Sequence, residues 1–147
     1  MKISTRGRYA LRMLMDMVRH QDGGPVSLKD IAERQNLSQK YLEQIALALN
    51  RFDIMHGSRG HQGGYRLLVN PADLTIYQIL TIVEGSMAPV SCLDNPLNEC
   101  PRKEGCQTLF IWEGLDAVVR EYLSGITLQD VIDRAGDAED PGACPEK

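Results

Sequence analysis

Apolar residues recur with helical spacing along most of the chain, and they predict five helices and one short hairpin. Residues 5–20 carry an apolar pair about every fourth position, which is the period of an amphipathic helix. Two shorter amphipathic stretches follow, one after Ser27 and one after Ser38, separated by a tight turn at 35–37. A fourth helix is predicted after Thr75, and a longer one over about 107–123.

The hairpin is predicted directly behind the pair of short helices. Residues 54–56 and 65–68 are strand candidates, and the segment between them, Ser58–Gly64, is rich in glycine. Two short helices around a tight turn form a helix-turn-helix, and a β-hairpin after it forms a wing. The predicted fold class is therefore mostly α with a small β-hairpin wing, a winged helix-turn-helix followed by a long helix.

Charge divides the chain into a basic half and an acidic half. Residues 1–68 contain 11 Lys and Arg against 6 Asp and Glu, whereas residues 69–147 contain 5 against 14, within a net charge of −4. This division predicts that the first half meets a polyanion, with chance scatter of solvated charges as the alternative.

The second short helix has the composition of a recognition helix that enters the major groove of DNA. Polar side chains at its start can reach base edges, and its N-terminal amides can meet phosphate. The alternative is an ordinary packed helix pair with a solvated polar face. The candidate DNA-binding residues are Ser38, Gln39, Lys40, Tyr41, Glu43 and Gln44 on this helix, Arg59 on the wing, and Arg8, Ser27 and Lys29 nearby.

Three segments, MKISTRGRYAL, VSLKDIAERQNLSQKYLEQI and SRGHQGGYRL, resemble the Rrf-type family of bacterial winged-helix regulators, and the IscR-like subgroup among its IscR, NsrR and CymR members. The resemblance runs from residue 1 to about 133. It implies a repressor that binds double-stranded DNA at a palindromic operator as a homodimer. The implied division is a DNA-binding domain over 1–85, a cysteine loop over 86–106, a dimerisation helix with a closing helix over 107–133, and a disordered acidic tail over 134–147.

The long helix is the implied dimer contact. Its apolar residues Trp112, Leu115, Val119 and Tyr122, extended by Ile126, have the three–four spacing of a seam between two helices. Packing of the same stripe within one chain is the alternative, and the resemblance favours the dimer.

Cys92, Cys100 and Cys106 lie within fifteen residues of the predicted loop. Thiolates are soft ligands that suit iron–sulfur clusters, zinc or redox chemistry. The resemblance implies that these three cysteines hold an iron–sulfur cluster, with 2Fe–2S favoured over 4Fe–4S and neither settled. A zinc site and a bare thiol switch are the alternatives, and zinc lacks its usual closely paired cysteines.

A fourth cluster ligand is not assigned. Leu109 stands where the IscR pattern has a histidine, and Arg8 stands where one NsrR type has an aspartate. Cys144 is a good donor that lies far along the tail, and His61 is predicted to be a polar loop residue.

The alternative function is a cluster-free, CymR-like repressor controlled by thiol oxidation or by a partner protein, cysteine synthase.

Other function classes find little support in the sequence. The start of the chain has no continuous apolar run, and no stretch has the length of a membrane span, so a cytoplasmic protein with reduced thiols is expected. Neither a nucleophile–base pair nor a phosphate-binding loop is recognisable, so we predict that the protein is not an enzyme.

Overall fold

A computed structural model describes residues 2–60, 63–95 and 97–136 of the chain. It confirms a mostly helical fold with one two-stranded antiparallel hairpin. His61, Cys144 and the tail that was expected to be disordered lie outside the described residues, apart from the three residues 134–136. The elements are α1 Thr5–His20, α2 Leu28–Gln35, α3 Gln39–Arg51, β1 Met55–Ser58, β2 Gly64–Leu67, α4 Ile76–Glu84, α5 Leu109–Ser124 and α6 Leu128–Ala135.

Local capping signals fix most helix boundaries. The Ser27 hydroxyl accepts a hydrogen bond from the Asp30 amide at 3.0 Å and starts α2. Asn36, with φ of 50°, ends α2 in the left-handed conformation that turns the chain toward α3. Thr75 and Gln78 form a complete capping box at the start of α4.

The wing is tied to the helices by a bridge that the sequence pattern did not predict. β1 pairs with β2 in the register Met55 to Leu67, and β2 also exchanges two 2.8 Å backbone hydrogen bonds with Val26, through Tyr65. A Cβ on Gly64 would lie 2.8 Å from the Val26 carbonyl oxygen, so only glycine permits this close approach.

The core lies where α1 crosses the helix-turn-helix and α4. Its largest fully buried side chains are Met13, Leu14, Met17, Ile31, Leu42, Ile45, Leu49, Met55, Ile79 and Leu128. Leu128 on α6 belongs to this core because the start of α6 is hydrogen-bonded to the start of α4, with Leu128 N donating to Leu74 O at 2.8 Å. The C-terminal helix thus closes against the DNA-binding half.

Two expectations for the long helix need correction. The helix begins at Leu109 rather than at residue 107, since Cys106 is extended and Thr108 occupies the N-cap position. Val119 and Ile126, expected in the seam between two helices, pack against the core of their own chain.

In the part of the chain that the structure describes, no helix is long and apolar enough to cross a membrane.

Candidate DNA interface and cysteine loop

The start of α3 presents a polar, solvent-exposed face. Ser38, Gln39, Lys40, Glu43 and Gln44 are all exposed. Gln39 Nε2 donates to Glu43 Oε1 at 3.2 Å, which orders the first turn of the face. The Ser38 hydroxyl makes no capping hydrogen bond, so it is available to a phosphate or a base.

A groove of about 560 Å³ separates the start of α3 from the start of α1. Tyr41, half-buried, forms one wall, and its ring meets the Tyr9 ring edge-on with centroids 5.6 Å apart. The exposed Arg8 lies on the same helix end as Thr5, to which its Nη2 donates at 3.1 Å. The groove therefore combines a cation, hydroxyl groups and two helix N-termini, a set suited to a phosphate backbone.

The remaining predicted DNA-binding residues are placed less uniformly. Arg59 is exposed at the end of β1, beside Gly60 with its φ of 123°. Lys29 is exposed on α2, with its Nζ 3.9 Å from Glu33 Oε1. Ser27 is half-buried and uses its hydroxyl as the α2 cap, so its part in DNA binding remains a prediction.

An ion pair between a buried aspartate and a partly exposed arginine holds the helix-turn-helix to α1. Asp16 is only 2% exposed, and Arg34 donates to it from Nε at 3.0 Å and from Nη2 at 2.5 Å. Gln35 Nε2 donates to Oδ2 of the same carboxylate at 3.0 Å. The hydrogen bond to Asp16 raises the pKa of Arg34. This pair was not predicted from the sequence, although an aspartate on the apolar face of α1 beside Met13 and Met17 indicates a buried partner.

A second long-range contact joins the end of α4 to the start of α1. Glu84 Oε1 accepts from the Ser4 amide at 3.0 Å, the Ser4 hydroxyl at 2.8 Å and the Gly7 amide at 3.1 Å. A Cβ on Gly7 would collide with that oxygen, so any larger residue here would push the Glu84 carboxylate away from the start of α1. Glu84 therefore caps the helix that carries Arg8, and it is also the last residue of α4, which leads into the cysteine loop.

The three predicted cysteine ligands lie along the loop between α4 and α5. Cys92 lies in a short 3₁₀ turn, Cys100 lies midway, and Cys106 precedes α5; all three are half-buried free thiols. Asn98 is buried with φ of 39°, and its Oδ1 accepts from the Cys100 amide at 3.3 Å.

Cys106 has the most distinctive environment of the three. The Thr108 backbone N–H lowers the pKa of the Cys106 thiol, and the Thr108 hydroxyl, 3.7 Å from Sγ, adds to the effect. This thiol is therefore biased toward the thiolate, the form that binds metals and attacks oxidants.

The described conformation does not gather these ligands around one point. Among residues 2–60, 63–95 and 97–136, no group of three or more His, Cys, Asp or Glu side chains could hold a metal ion. The donor chemistry fits an iron–sulfur cluster, because three thiols lie in one irregular loop outside the core. The loop would have to draw the three thiols together to bind it.

The sequence profile of one family, described as iron-dependent transcriptional regulators and named Rrf2, matches residues 3–134. The chain belongs to the Rrf2 family. A helix-turn-helix regulator of Azotobacter vinelandii is 35% identical, with 99% of this chain and 92% of the relative covered.

Two solved structures are similar to this Rrf2 protein in both fold and sequence. IscR of T. potens has a TM-score of 0.73 at 34% identity, covering 97% of this chain and 94% of its own. CymR, the global cysteine regulator of B. subtilis, also has a TM-score of 0.73 at 34% identity, covering 92% of this chain and 99% of its own. The protein is therefore a DNA-binding transcriptional regulator and not an enzyme, and the winged-helix prediction is confirmed.

Proposed function

We propose that this Rrf2 regulator is a homodimeric repressor whose affinity for a palindromic operator is set by an iron–sulfur cluster held by Cys92, Cys100 and Cys106. The observation that carries the proposal is the position of the three thiols. They lie on the one segment that joins Glu84, the cap of α1, to α5. A change in this segment acts on the DNA-binding half at one end and on the exposed long helix at the other.

The DNA-binding part of the proposal rests on α3 and the wing. The exposed polar face of α3 would enter the major groove, with Gln39, Glu43 and Gln44 able to pair with base edges. Lys40 and Arg8 would contact phosphates beside the groove between α3 and α1, and Arg59 would reach the adjacent minor groove. A steep fall of affinity with salt is expected, and a flat dependence would contradict DNA binding.

The dimer is supported by an exposed apolar stripe on α5. Ile111, Leu115, Val118 and Tyr122 are all exposed at four–three–four spacing, with Val118 at 63% and Tyr122 at 66%. That is the spacing of a seam between two helices. It differs from the predicted seam in that Ile111 and Val118 replace their neighbours Trp112 and Val119. A second copy, packed through the same stripe, would cover it and set the two recognition helices at a fixed separation.

Light scattering on the eluting protein tests the dimer. A Val118→Asp variant should elute as a monomer, because a charge would have to be buried between the helices. Leu68→Asp, at a leucine that is 55% exposed away from α5, should remain a dimer. A wild-type monomer would contradict the proposal.

For the cluster, the chain supplies three thiolates and a loop that can rearrange. A bound cluster would supply sensitivity to iron, oxygen or nitric oxide, and 2Fe–2S is the favoured type. Cys106 is the ligand best prepared by the protein, because the amide of Thr108 already stabilises its thiolate. Leu109 begins α5 and cannot act as the fourth ligand, so that position stays unassigned.

Anaerobic purification tests the cluster directly. A brown protein with iron and sulfide in near-equal amounts is expected, and Cys92→Ser, Cys100→Ser and Cys106→Ser should each lose iron. Cys144→Ser asks whether the tail contributes the fourth ligand: retained iron would exclude Cys144, and lost iron would assign it. A protein that stays iron-free after reconstitution would contradict the cluster and leave the DNA-binding proposal standing.

A second candidate is a cluster-free, CymR-like repressor controlled by cysteine synthase or by thiol oxidation. It is favoured by the ungathered thiols and by the equally close structural similarity to CymR. Iron-free protein that binds purified cysteine synthase, or that changes DNA affinity on reversible oxidation, would support this candidate over the first.

A further inference from the structure

Leu47 interrupts the polar face of α3. Leu47 is 56% exposed. The buried residues of α3 are also apolar, but they lie on the opposite side of the helix and face the core. An exposed leucine alone needs no explanation, because single apolar residues are common on protein surfaces. The position of Leu47 on this helix is what distinguishes it.

Helix geometry places Leu47 near the middle of the proposed DNA-binding face. Residues along an α-helix advance by about 100° each, so Leu47 projects between the directions of Glu43 and Lys40, one to two turns further along. Glu43 and Gln44, four and three residues before it, are exposed candidates for base contact. Leu47 therefore extends the row of side chains that the start of α3 offers to the major groove.

The surroundings of Leu47 form a concave surface toward the wing. A depression of about 310 Å³ is lined by Glu43, Leu47 and Asn50 on α3 and by His56, Gly57 and Tyr65 on the hairpin. A strand of DNA that passes between a recognition helix and its wing would run through this depression.

We infer that Leu47 reads a thymine by packing against its 5-methyl group. This inference rests on the proposed DNA-binding function. Among the groups that base pairs display in the major groove, the thymine methyl is the apolar one, and leucine can form no hydrogen bond that would suit another base. Leu47 would thus add a thymine to each half-site beyond the bases that Glu43 and Gln44 contact.

Replacement of thymine by deoxyuridine tests this inference, because it removes the methyl group alone. The full-length protein would first select operators from a random pool of duplex DNA. Each thymine would then be replaced symmetrically in both half-sites and affinity measured. One position should lose about fourfold per half-site, the factor that corresponds to one buried methyl group.

The variants assign the effect to the side chain. Leu47→Ala should bind thymine and deoxyuridine operators equally, whereas Leu68→Ala, at an equally exposed leucine outside α3, should keep the wild-type discrimination. The inference is overturned if no thymine is sensitive in the wild type, or if Leu47→Ala discriminates as the wild type does. A pool that is never enriched would overturn the proposed DNA binding itself, and this inference with it.

Discussion

Replacing Glu84 with alanine should destabilise the protein through the start of α1, which lies 77 to 80 positions away in the sequence. The carboxylate oxygen of Glu84 accepts three hydrogen bonds, from the Ser4 amide, the Ser4 hydroxyl and the Gly7 amide. These amides are among the four at a helix N-terminus that have no partner inside the helix. In Glu84→Ala the Gly7 amide keeps only the Ser4 hydroxyl, 3.4 Å away, and the Ser4 amide depends on whatever water reaches it.

The size of the effect follows from those contacts. The loss of a helix cap costs about 1 kcal/mol, and the favourable interaction of a carboxylate with a helix N-terminus adds about 0.3–1 kcal/mol. Because the contacts are partly buried, water replaces the lost acceptor incompletely, so we expect a total of about 2 kcal/mol. Glu84→Gln keeps an acceptor and loses the charge, so it should cost about half as much.

Urea denaturation at fixed protein concentration measures these differences. Glu33→Ala is the matched control, because Glu33 is exposed and its contact with Lys29 is a long surface ion pair that should contribute almost nothing. If Glu84→Ala unfolds within about 0.5 kcal/mol of the control, the cap does not hold α1 and our reasoning about this contact is wrong.

Three further expectations follow from the described contacts. Arg34→Ala should cost about 2–3 kcal/mol in the free energy of unfolding, because the buried Asp16 carboxylate keeps only Gln35 as a side-chain donor from α2; a loss below about 1 kcal/mol would contradict this. Lys40→Ala should weaken operator binding equally for all sequences and reduce the salt slope by about 1, and an unchanged slope would remove Lys40 from the phosphate contacts. The Thr127 amide lowers the pKa of Asp130, so its contribution is complete above its ordinary pKa of about 3.9 and is lost as pH falls through the lower folded value. Asp130→Asn should therefore lower Tm at pH 7 and converge with the wild type in acid, and a gap that persists at low pH would contradict this reasoning.

The helices and the hairpin could be predicted because their signals are local. The bounds of α1 follow from the period of its apolar residues and the glycines behind it, and α4 follows from Thr75 and Gly85. The start of α5 was placed two residues too early, because the apolar pattern gave no sign that Cys106 would be extended.

The contacts that join distant parts of the chain were not predictable in the same way. Val26 pairs with Tyr65, and Glu84 caps Ser4 and Gly7, across separations at which sequence pattern carries no information about distance. The same limit applies to the cysteines. Their spacing indicates soft-ligand chemistry. It does not predict the distances between the three thiols, because thiols in an irregular loop can be drawn together by a cluster or stay apart.

The two arrangements of the cysteine loop, with its thiols gathered or apart, matter because the loop is joined to α4. Helix α4 begins bonded to α6 and ends in Glu84, so its two ends touch the closing helix and the start of α1. Under the proposed mechanism, a rearrangement of the loop that begins just after Glu84 would disturb the cap of α1, and α1 forms one wall of the groove beside α3. Coupling free energies of about 1–3 kcal/mol between sites suffice to change operator occupancy by one or two orders of magnitude. The contact of Glu84 with the start of α1 has an energy of about this size, so its presence in one state and absence in the other would account for such a coupling.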